Sequence, residues 1–425
     1  MSQTLCHLCS FSRRAFSRDV KRCFANKQHR GTFSIRVLAS DSDDDDYHHH
    51  GDILQRVFSQ KFISDEEDVQ LFECGKTISG REFADAISRN NPDALGKKKK
   101  NEPKLSKSVS GRALSSFNIA LSALLENERY QEVEKMFCIW RDEFERVEVD
   151  LVSVSLVATA LRRMRDDFAD VERFVSEQKS SLLKRPNKKV AKKKINVNKY
   201  EREGLLPMHV VYEDEDVIAV NKTSGIPSTS DPSTPSVSEF LMTMKKDDAS
   251  FSLSEMNGAE ARGVVHRLDK FTSGVMLLAK NDATHCELVS SFYRRKTKKV
   301  YNAIARGIFE NGEGEIDSLV DNREAFSNYA VLERLQNSSL VEILPRTGRK
   351  HQIRVHLSSI GHPLVNDAIY TPKKIRKSDD KAANTSTFFL HARSLEVPHP
   401  RDSSKILKVE APLSASFLAE LDRTR

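Results

Sequence analysis

The chain has 425 residues, 38% of them hydrophobic and 30% charged, and carries 68 Lys and Arg against 61 Asp and Glu for a net charge of +7. That length accommodates two domains and a tail, and the composition predicts a soluble protein with substantial unstructured parts. No apolar run approaches the roughly 20 residues that a membrane-spanning helix needs, which excludes an integral membrane role of that kind. Of the six cysteines, Cys6, Cys9 and Cys23 lie near the N-terminus, and Cys74, Cys138 and Cys286 stand alone. Cys6 and Cys9 flank His7 without a second ligand pair, so neither a zinc site nor a disulfide framework is implied.

Residues 1–39 carry eight Lys and Arg against the single acid Asp19, with no apolar h-region. This is the composition of an organelle transit peptide, and Ile35 to Ser40 resembles a chloroplast cleavage site; a mitochondrial leader is the alternative. Residues 40–110, acidic at first and later basic, read as largely disordered with short helices. His48, His49 and His50 have no partner ligands there. From 111 to 183 the apolar spacing turns helical. Phe117, Leu121, Leu124 and Leu125 form one stripe, Val133, Met136, Phe137 and Trp140 a second, and Leu151, Val154, Leu156, Val157 and Leu161 a third. The segment resembles one pentatricopeptide-type repeat and half of another. Fewer than three repeats do not make a stable array, so a small helical bundle is the expectation.

Residues 184–204 form a basic linker. From 205 onward short β-type runs take over: Val210 to Tyr212, Val217 to Val220, Val275 to Ala279, Val300 to Ala305 and Leu340 to Leu344. Asn281 or Asp282 caps a helix that turns Ala283, Cys286, Val289 and Phe292 inward, and His351 to Ile360 reads as a helix stopped by Gly361 and Pro363. The expectation is an α+β domain over 205–425. Basic runs at 97–100, 184–199, 294–299 and 373–377 suit solvated faces and phosphate contacts equally.

Five motifs occur in order over residues 208–415. Asn221-Lys222-Thr223-Ser224-Gly225 opens the series, and His266-Arg267-Leu268-Asp269 with Thr272-Ser273-Gly274 stands at its centre. Lys299-Val300-Tyr301-Asn302-Ala303 follows, then Gly348-Arg349-Lys350-His351-Gln352-Ile353-Arg354, then Leu390-His391-Ala392 with His399-Pro400. Together they resemble the RluA-type RNA pseudouridine synthases, in their plant organellar form. The resemblance implies the pseudouridine synthase fold, a mixed and largely antiparallel sheet with flanking helices, preceded here by a small α-helical domain. It also implies isomerisation of uridine in RNA: the C1′–N1 bond is cleaved in a flipped-out nucleotide and the base is rejoined through C5. No cofactor or metal is required for that chemistry.

By the same resemblance Asp269 is the catalytic carboxylate, as nucleophile at C1′ or base at C2′. Arg354 is its cationic partner, and Tyr301 stacks on the base and takes the C5 proton. Leu390 supplies an apolar face opposite Tyr301, and Arg267 fills the vacated place in the RNA stack. Lys299, Arg349, His351 and Gln352 complete the substrate-binding set, while His266 and His356 are structural. Two positions depart from the pattern: Thr223 replaces a proline, and Asn366 stands for a glycine before Asp367, where Asn tolerates left-handed geometry. Residues 372–386 are a polar insertion. The expected partner is ribosomal or transfer RNA, the expected state a monomer without membrane attachment, and the expected location the chloroplast or, alternatively, the mitochondrion. The rival reading is a non-catalytic RNA-binding or ribosome-assembly factor on the same fold.

Overall fold

The computed structural model describes residues 107–143, 149–165, 168–183, 208–229, 231, 234–373 and 387–425. The expected leader, the acidic stretch, the basic linker and nearly all of the 372–386 insertion lie outside these residues. In the N-terminal region only the backbone of four short strands is given: β1 (Cys23–Lys27), β2 (Phe33–Val37), β3 (Gln70–Glu73) and β4 (Lys76–Ser79). Contacts divide the chain into two compact units, residues 1–166 and 167–425.

In the first unit, helices α1 (Lys107–Glu126), α2 (Tyr130–Glu143) and α3 (Leu151–Arg165) pack through the three apolar stripes. Phe117, Leu121, Val133, Met136, Trp140, Val154 and Val157 have no exposed surface, and Phe117 stacks on Trp140 at 4.0 Å. A buried polar join accompanies them. Asn118 donates to both oxygens of Asp150 at 3.1 and 3.2 Å, and the Ser153 hydroxyl donates to Asn118 Oδ1 at 2.7 Å.

Helix α4 (Phe168–Leu182) belongs with the second unit, so the helical region expected over 111–183 divides between the two. Its Lys179 pairs with Asp282 at 2.7 Å, at the start of α6 (Asp282–Tyr293). That packing explains a departure from the amphipathic reading of α6. Thr284, His285, Glu287, Leu288 and Ser290 are buried along with Ala283 and Cys286, because α4 covers the face away from the sheet. Asn281 caps α6, its side-chain oxygen accepting from Thr284 N–H at 2.9 Å.

The second unit is built on strands β5 (His209–Glu213), β6 (Val217–Lys222), β7 (Ser273–Ala279), β8 (Lys298–Arg306), β9 (Glu313–Asp317), β10 (Phe326–Arg334), β11 (Ser338–Pro345), β12 (Leu390–Pro398) and β13 (Ile406–Glu410). Their order is β5-β6-β7-β12-β8-β11-β10-β9, with β13 also pairing β12. All pairings are antiparallel except β7 with β12, which run parallel and share only Ser273↔His391 and Gly274↔Ala392. The rest of that edge of β12 pairs with β13. Gly274 is required at the junction: its φ is +109°, and a Cβ would lie 2.2 Å from the Ala392 carbonyl oxygen. Helices α5 (Val237–Met244), α7 (Gln352–Ser359) and α8 (Ala415–Thr424) flank the sheet. This is the mixed, mostly antiparallel sheet with flanking helices and a preceding helical segment that the motifs imply.

Candidate active site

The loop that carries Asp269 enters β7 and is held by its carbonyls. Lys222 Nζ and the Gly225 N–H donate to Lys270 O at 3.0 and 2.9 Å, and Ser224 Oγ donates to Phe271 O at 2.8 Å. Ser228 Oγ donates to Leu268 O at 2.7 Å and accepts from the Leu268 N–H at 3.0 Å. Thr272 N–H closes the turn onto Asp269 O at 3.0 Å. The first motif, with Ser228 just beyond it, is thus the floor of the second. Its Lys222 is fully buried, and the ammonium also reaches Ile226 O at 2.7 Å and Thr223 O at 3.2 Å. Burial lowers this lysine to about 7, opposed by the charge of Asp269.

With its backbone fixed, the Asp269 side chain is 22% exposed and meets a wall made by α7 and the turn after it. His351 Nε2 lies 3.6 Å from Oδ1, and Arg354 Nη1 lies 3.9 Å from Oδ2. Both oxygens therefore have a basic neighbour, and the half-open carboxylate remains accessible. Arg354 is itself held by a second acid. Its Nε and Nη2 bind Asp367 Oδ2 and Oδ1 at 2.6 and 2.9 Å, with both side chains almost wholly buried. The guanidinium lies over the rings of Tyr370, at 4.7 Å, and of Phe388, at 4.3 Å. Asp367 also accepts the N–H groups of Ile369 and Tyr370 at 3.1 and 3.2 Å. Asn366 takes the left-handed conformation expected of it, with φ 65°.

His351 sits at the N-cap of α7 with φ 57°, and its Nδ1 is 2.8 Å from the Tyr370 hydroxyl. Burial lowers its pKa, Asp269 opposes that, and Arg354 and Lys350 add to the lowering. Tyr301, on β8, is packed among core residues, and burial followed by the Asp269 charge pushes its phenol up, so the proton stays on. Lys299, two residues before it, is lowered by burial and by Arg295; its ammonium is 3.7 Å from the Cβ position of Gly348. Arg267 is exposed on the loop.

Two expected placements are corrected. Leu390 does not face Tyr301 across a gap. The register pairs Tyr301 with Ala392 and Ala303 with Leu390, so Leu390 is a diagonal neighbour on the same sheet face, packed with Tyr301 in one cluster. Gln352 does not present its amide to a ligand. Its oxygen accepts from Thr347 Oγ1 at 2.7 Å and Arg349 N–H at 2.9 Å, and its nitrogen donates to Phe326 O and Ser327 Oγ, both at 3.0 Å. Arg349 is half-buried and donates to Glu324 O at 3.2 Å. The sequence reading missed Asp367, Tyr370 and Phe388 as the surroundings of Arg354, and gave Lys222 no task.

The histidines have the structural roles expected of them. His266 Nε2 accepts from Leu277 N–H at 2.9 Å and its ring stacks on Phe292 at 4.8 Å; burial lowers it to about 3. His356 bonds Ser327 Oγ at 3.0 Å. Among the described residues one acid and histidine trio, Asp214, Asp216 and His399, brings ligand atoms within 4.8 Å. Its oxygens already accept from Tyr212, Asn281, Thr284 and Arg401.

Comparison with known proteins adds the lineage. The family model described as RNA pseudouridylate synthase matches residues 216–359, from the strand under the floor to the end of α7. The uncharacterized RNA pseudouridine synthase YlyB of Bacillus subtilis is 35% identical over 236 residues, 52% of this chain and 74% of that protein. The dual-specificity RNA pseudouridine synthase RluA of Vibrio cholerae is 34% identical over 207 residues, 45% of this chain and 78% of that one. Ribosomal large subunit pseudouridine synthase D of Haemophilus ducreyi is 30% identical over 236 residues, covering 50% of this chain and 69% of that protein. With Asp269 held open between a carbonyl-bound floor and a cationic wall, the family model matched across that region, and relatives at least 30% identical covered to more than two thirds of their length, the chain belongs to the RNA pseudouridylate synthase family.

Proposed function

We propose that this protein isomerises uridines in RNA to pseudouridine, with Asp269 as the reacting carboxylate. The observation that carries the reading is the state of that side chain. Its backbone is immobilised through neighbouring carbonyls, and its two oxygens face His351 and Arg354 while part of its surface stays open. A carboxylate so placed attacks C1′ as nucleophile or removes a proton at C2′. Either route breaks the C1′–N1 bond, turns the uracil and forms the C5–C1′ bond; the proton leaves C5 and N1 regains one. Electrons balance without an oxidant or donor group, so no cofactor has a task.

Arg354 steadies the carboxylate from a position that Asp367 fixes. Tyr301 offers a stacking face to the detached base, a contact worth about 1–3 kcal/mol. Its proton is held on by burial and by the Asp269 charge. On the nucleophilic route the ester removes that charge, and the phenol then relays protons: its O–H passes to the uracil ring as N1 regains a proton, and the oxygen left behind takes the proton from C5. Arg267, exposed on the same loop, replaces the flipped base in the stack. Lys299 and the basic residues before it contact phosphates, which makes affinity fall with salt.

Ribosomal or transfer RNA is the proposed substrate and a monomer the proposed state. Organelle import, to the chloroplast or else the mitochondrion, is supported by the basic, acid-poor residues 1–39. Fluorescent tagging of the full chain in cells tests it. The reaction is tested with Asp269→Asn. RNA affinity should stay within about twofold of the wild type, while pseudouridine formation, mapped across total RNA, falls by at least about 10³-fold. Undiminished modification by that variant would remove Asp269 as the reacting carboxylate, and wild-type protein that binds RNA without modifying it would favour a binding factor over an enzyme.

A further inference from the structure

We infer that Tyr370 fixes the tautomer of His351 so that an Nε2–H faces Asp269, making the pair a positioning device for the reacting carboxylate. The inference rests on Asp269 being that carboxylate.

The Tyr370 hydroxyl and His351 Nδ1 lie 2.8 Å apart, a hydrogen bond that admits two proton arrangements. If the phenol donates, Nδ1 is the acceptor and the ring proton sits on Nε2, toward Asp269. If Nδ1–H donates instead, the Nε2 lone pair points at Asp269 Oδ1 from 3.6 Å, two electron-rich atoms facing each other. The second arrangement is repulsive, so the phenol donates, and its bond to Nδ1 together with the carboxylate holds the first. Burial raises the phenol, so Tyr370 keeps the proton it must donate, and burial lowers His351, so the ring is neutral and a tautomer choice exists.

Tyr370 is held for this task on several sides. Its N–H is bound by Asp367 Oδ1 at 3.2 Å, its carbonyl accepts from Ser358 Oγ at 2.6 Å, and the Arg354 guanidinium lies over its ring. His351 is aimed by its left-handed backbone at the mouth of α7. The two oxygens of Asp269 thus answer to different elements, Oδ1 to His351 and Oδ2 to Arg354, which sets the plane of the carboxylate. At 3.6 Å the His351 contact is longer than a hydrogen bond, and such catalytic contacts tighten when substrate binds. The charged groups around His351 are Asp269 and Asp367, which favour its imidazolium, and Arg354 and Lys350, which oppose it.

The experiment compares the full-length wild type with Tyr370→Phe, His351→Gln and the double variant, assayed on saturating RNA from pH 5.5 to 8.5. Tyr370→Phe keeps the ring under Arg354 and removes one proton donor. Its turnover at pH 8 should fall about tenfold, the scale of one hydrogen bond to a charged group, with RNA affinity unchanged. The deficit relative to wild type should narrow as pH falls, because an imidazolium carries a proton on both nitrogens. His351→Gln presents an amide N–H without tautomers, so adding Tyr370→Phe to it should cost nothing further. In the wild type, selective ¹⁵N labelling of histidine should show the His351 ring protonated at Nε2.

An Nδ1-protonated ring, a Tyr370→Phe deficit that is absent or flat with pH, or additive losses in the double variant would each overturn the inference. The ring measurement needs no variant and stands if Tyr370→Phe misfolds. An active Asp269→Asn would instead remove the underlying reading.

Discussion

Asp269 is held from two directions by two regions built on different principles. The floor, residues 222–228, grips only backbone: every bond it makes to the Asp269 loop ends on a main-chain group of Leu268, Lys270 or Phe271. The wall, residues 351–371, addresses the side chain itself, through His351 and Arg354. Each region contains a buried cation. Lys222 in the floor bonds three carbonyls and no carboxylate, whereas Arg354 in the wall is clasped by Asp367. One region determines where the acid is, and the other how its oxygens are presented.

The sharpest way to break this contrast is Asp367→Asn. It leaves a guanidinium buried beside Asp269 with its bidentate partner gone, and unpairing a buried charge costs about 3–5 kcal/mol. Denaturant unfolding should show a loss of that size, and turnover should fall with it. A loss below about 1 kcal/mol would mean that Asp269 takes over as partner, and the wall would then be no clamp.

Lys222→Met should have a smaller effect near neutrality, about 1–3 kcal/mol for carbonyls left without donors. Its distinguishing mark is pH. Lys222 titrates at about 7 in the fold and near the ordinary lysine value, about 10.4, when unfolded. Between those values the unfolded chain holds one more proton, so this residue's stabilising contribution rises with pH. It is complete above the unfolded value and lost as pH falls through about 7. Wild type minus Lys222→Met, measured by denaturant titration from pH 6.5 to 10, should therefore widen upward; a flat difference would mean that the lysine is not held by burial alone.

Ser228→Ala is the mildest of the three. It removes the reciprocal pair with Leu268 and should cost about 1–2 kcal/mol. Because the floor acts on position, turnover should drop while RNA affinity holds. Equal losses in both would make the floor a general support and erase its distinction from the wall.

Local signals in the sequence foretold a good deal. The three apolar stripes of the helical unit are buried as read except for the half-buried Leu151, Asn281 caps its helix, and Asn366 adopts the left-handed turn that its amide side chain tolerates. What could not be read was partnership across distance. Arg354 was assigned to Asp269, its weaker neighbour, because nothing in spacing reveals that the turn after α7 folds Asp367 back onto it. The resemblance places Gln352 among the substrate-binding residues, and nothing in the sequence tells that loop 347–349 and β10 close over its amide. The sequence holds no register between β8 and β12, so the place of Leu390 beside Tyr301 is supplied only by tertiary pairing. The amphipathic reading of α6 failed because α4 comes from more than a hundred residues earlier to cover it.

The short parallel contact between β7 and β12 acquires a meaning from all this. Lys222 and the Asp269 loop belong to the β5-β6-β7 side of it, while Tyr301, His351 and Arg354 belong to the β12-β8-β11 side. Reagent and helpers are therefore carried by two groups of strands that share packed cores but whose main chains pair at only two residue pairs, and the bare backbone of Gly274 lets the strands meet. Even a single methyl group there would act as a wedge against the Ala392 backbone, and the acid would fall out of alignment with everything meant to serve it.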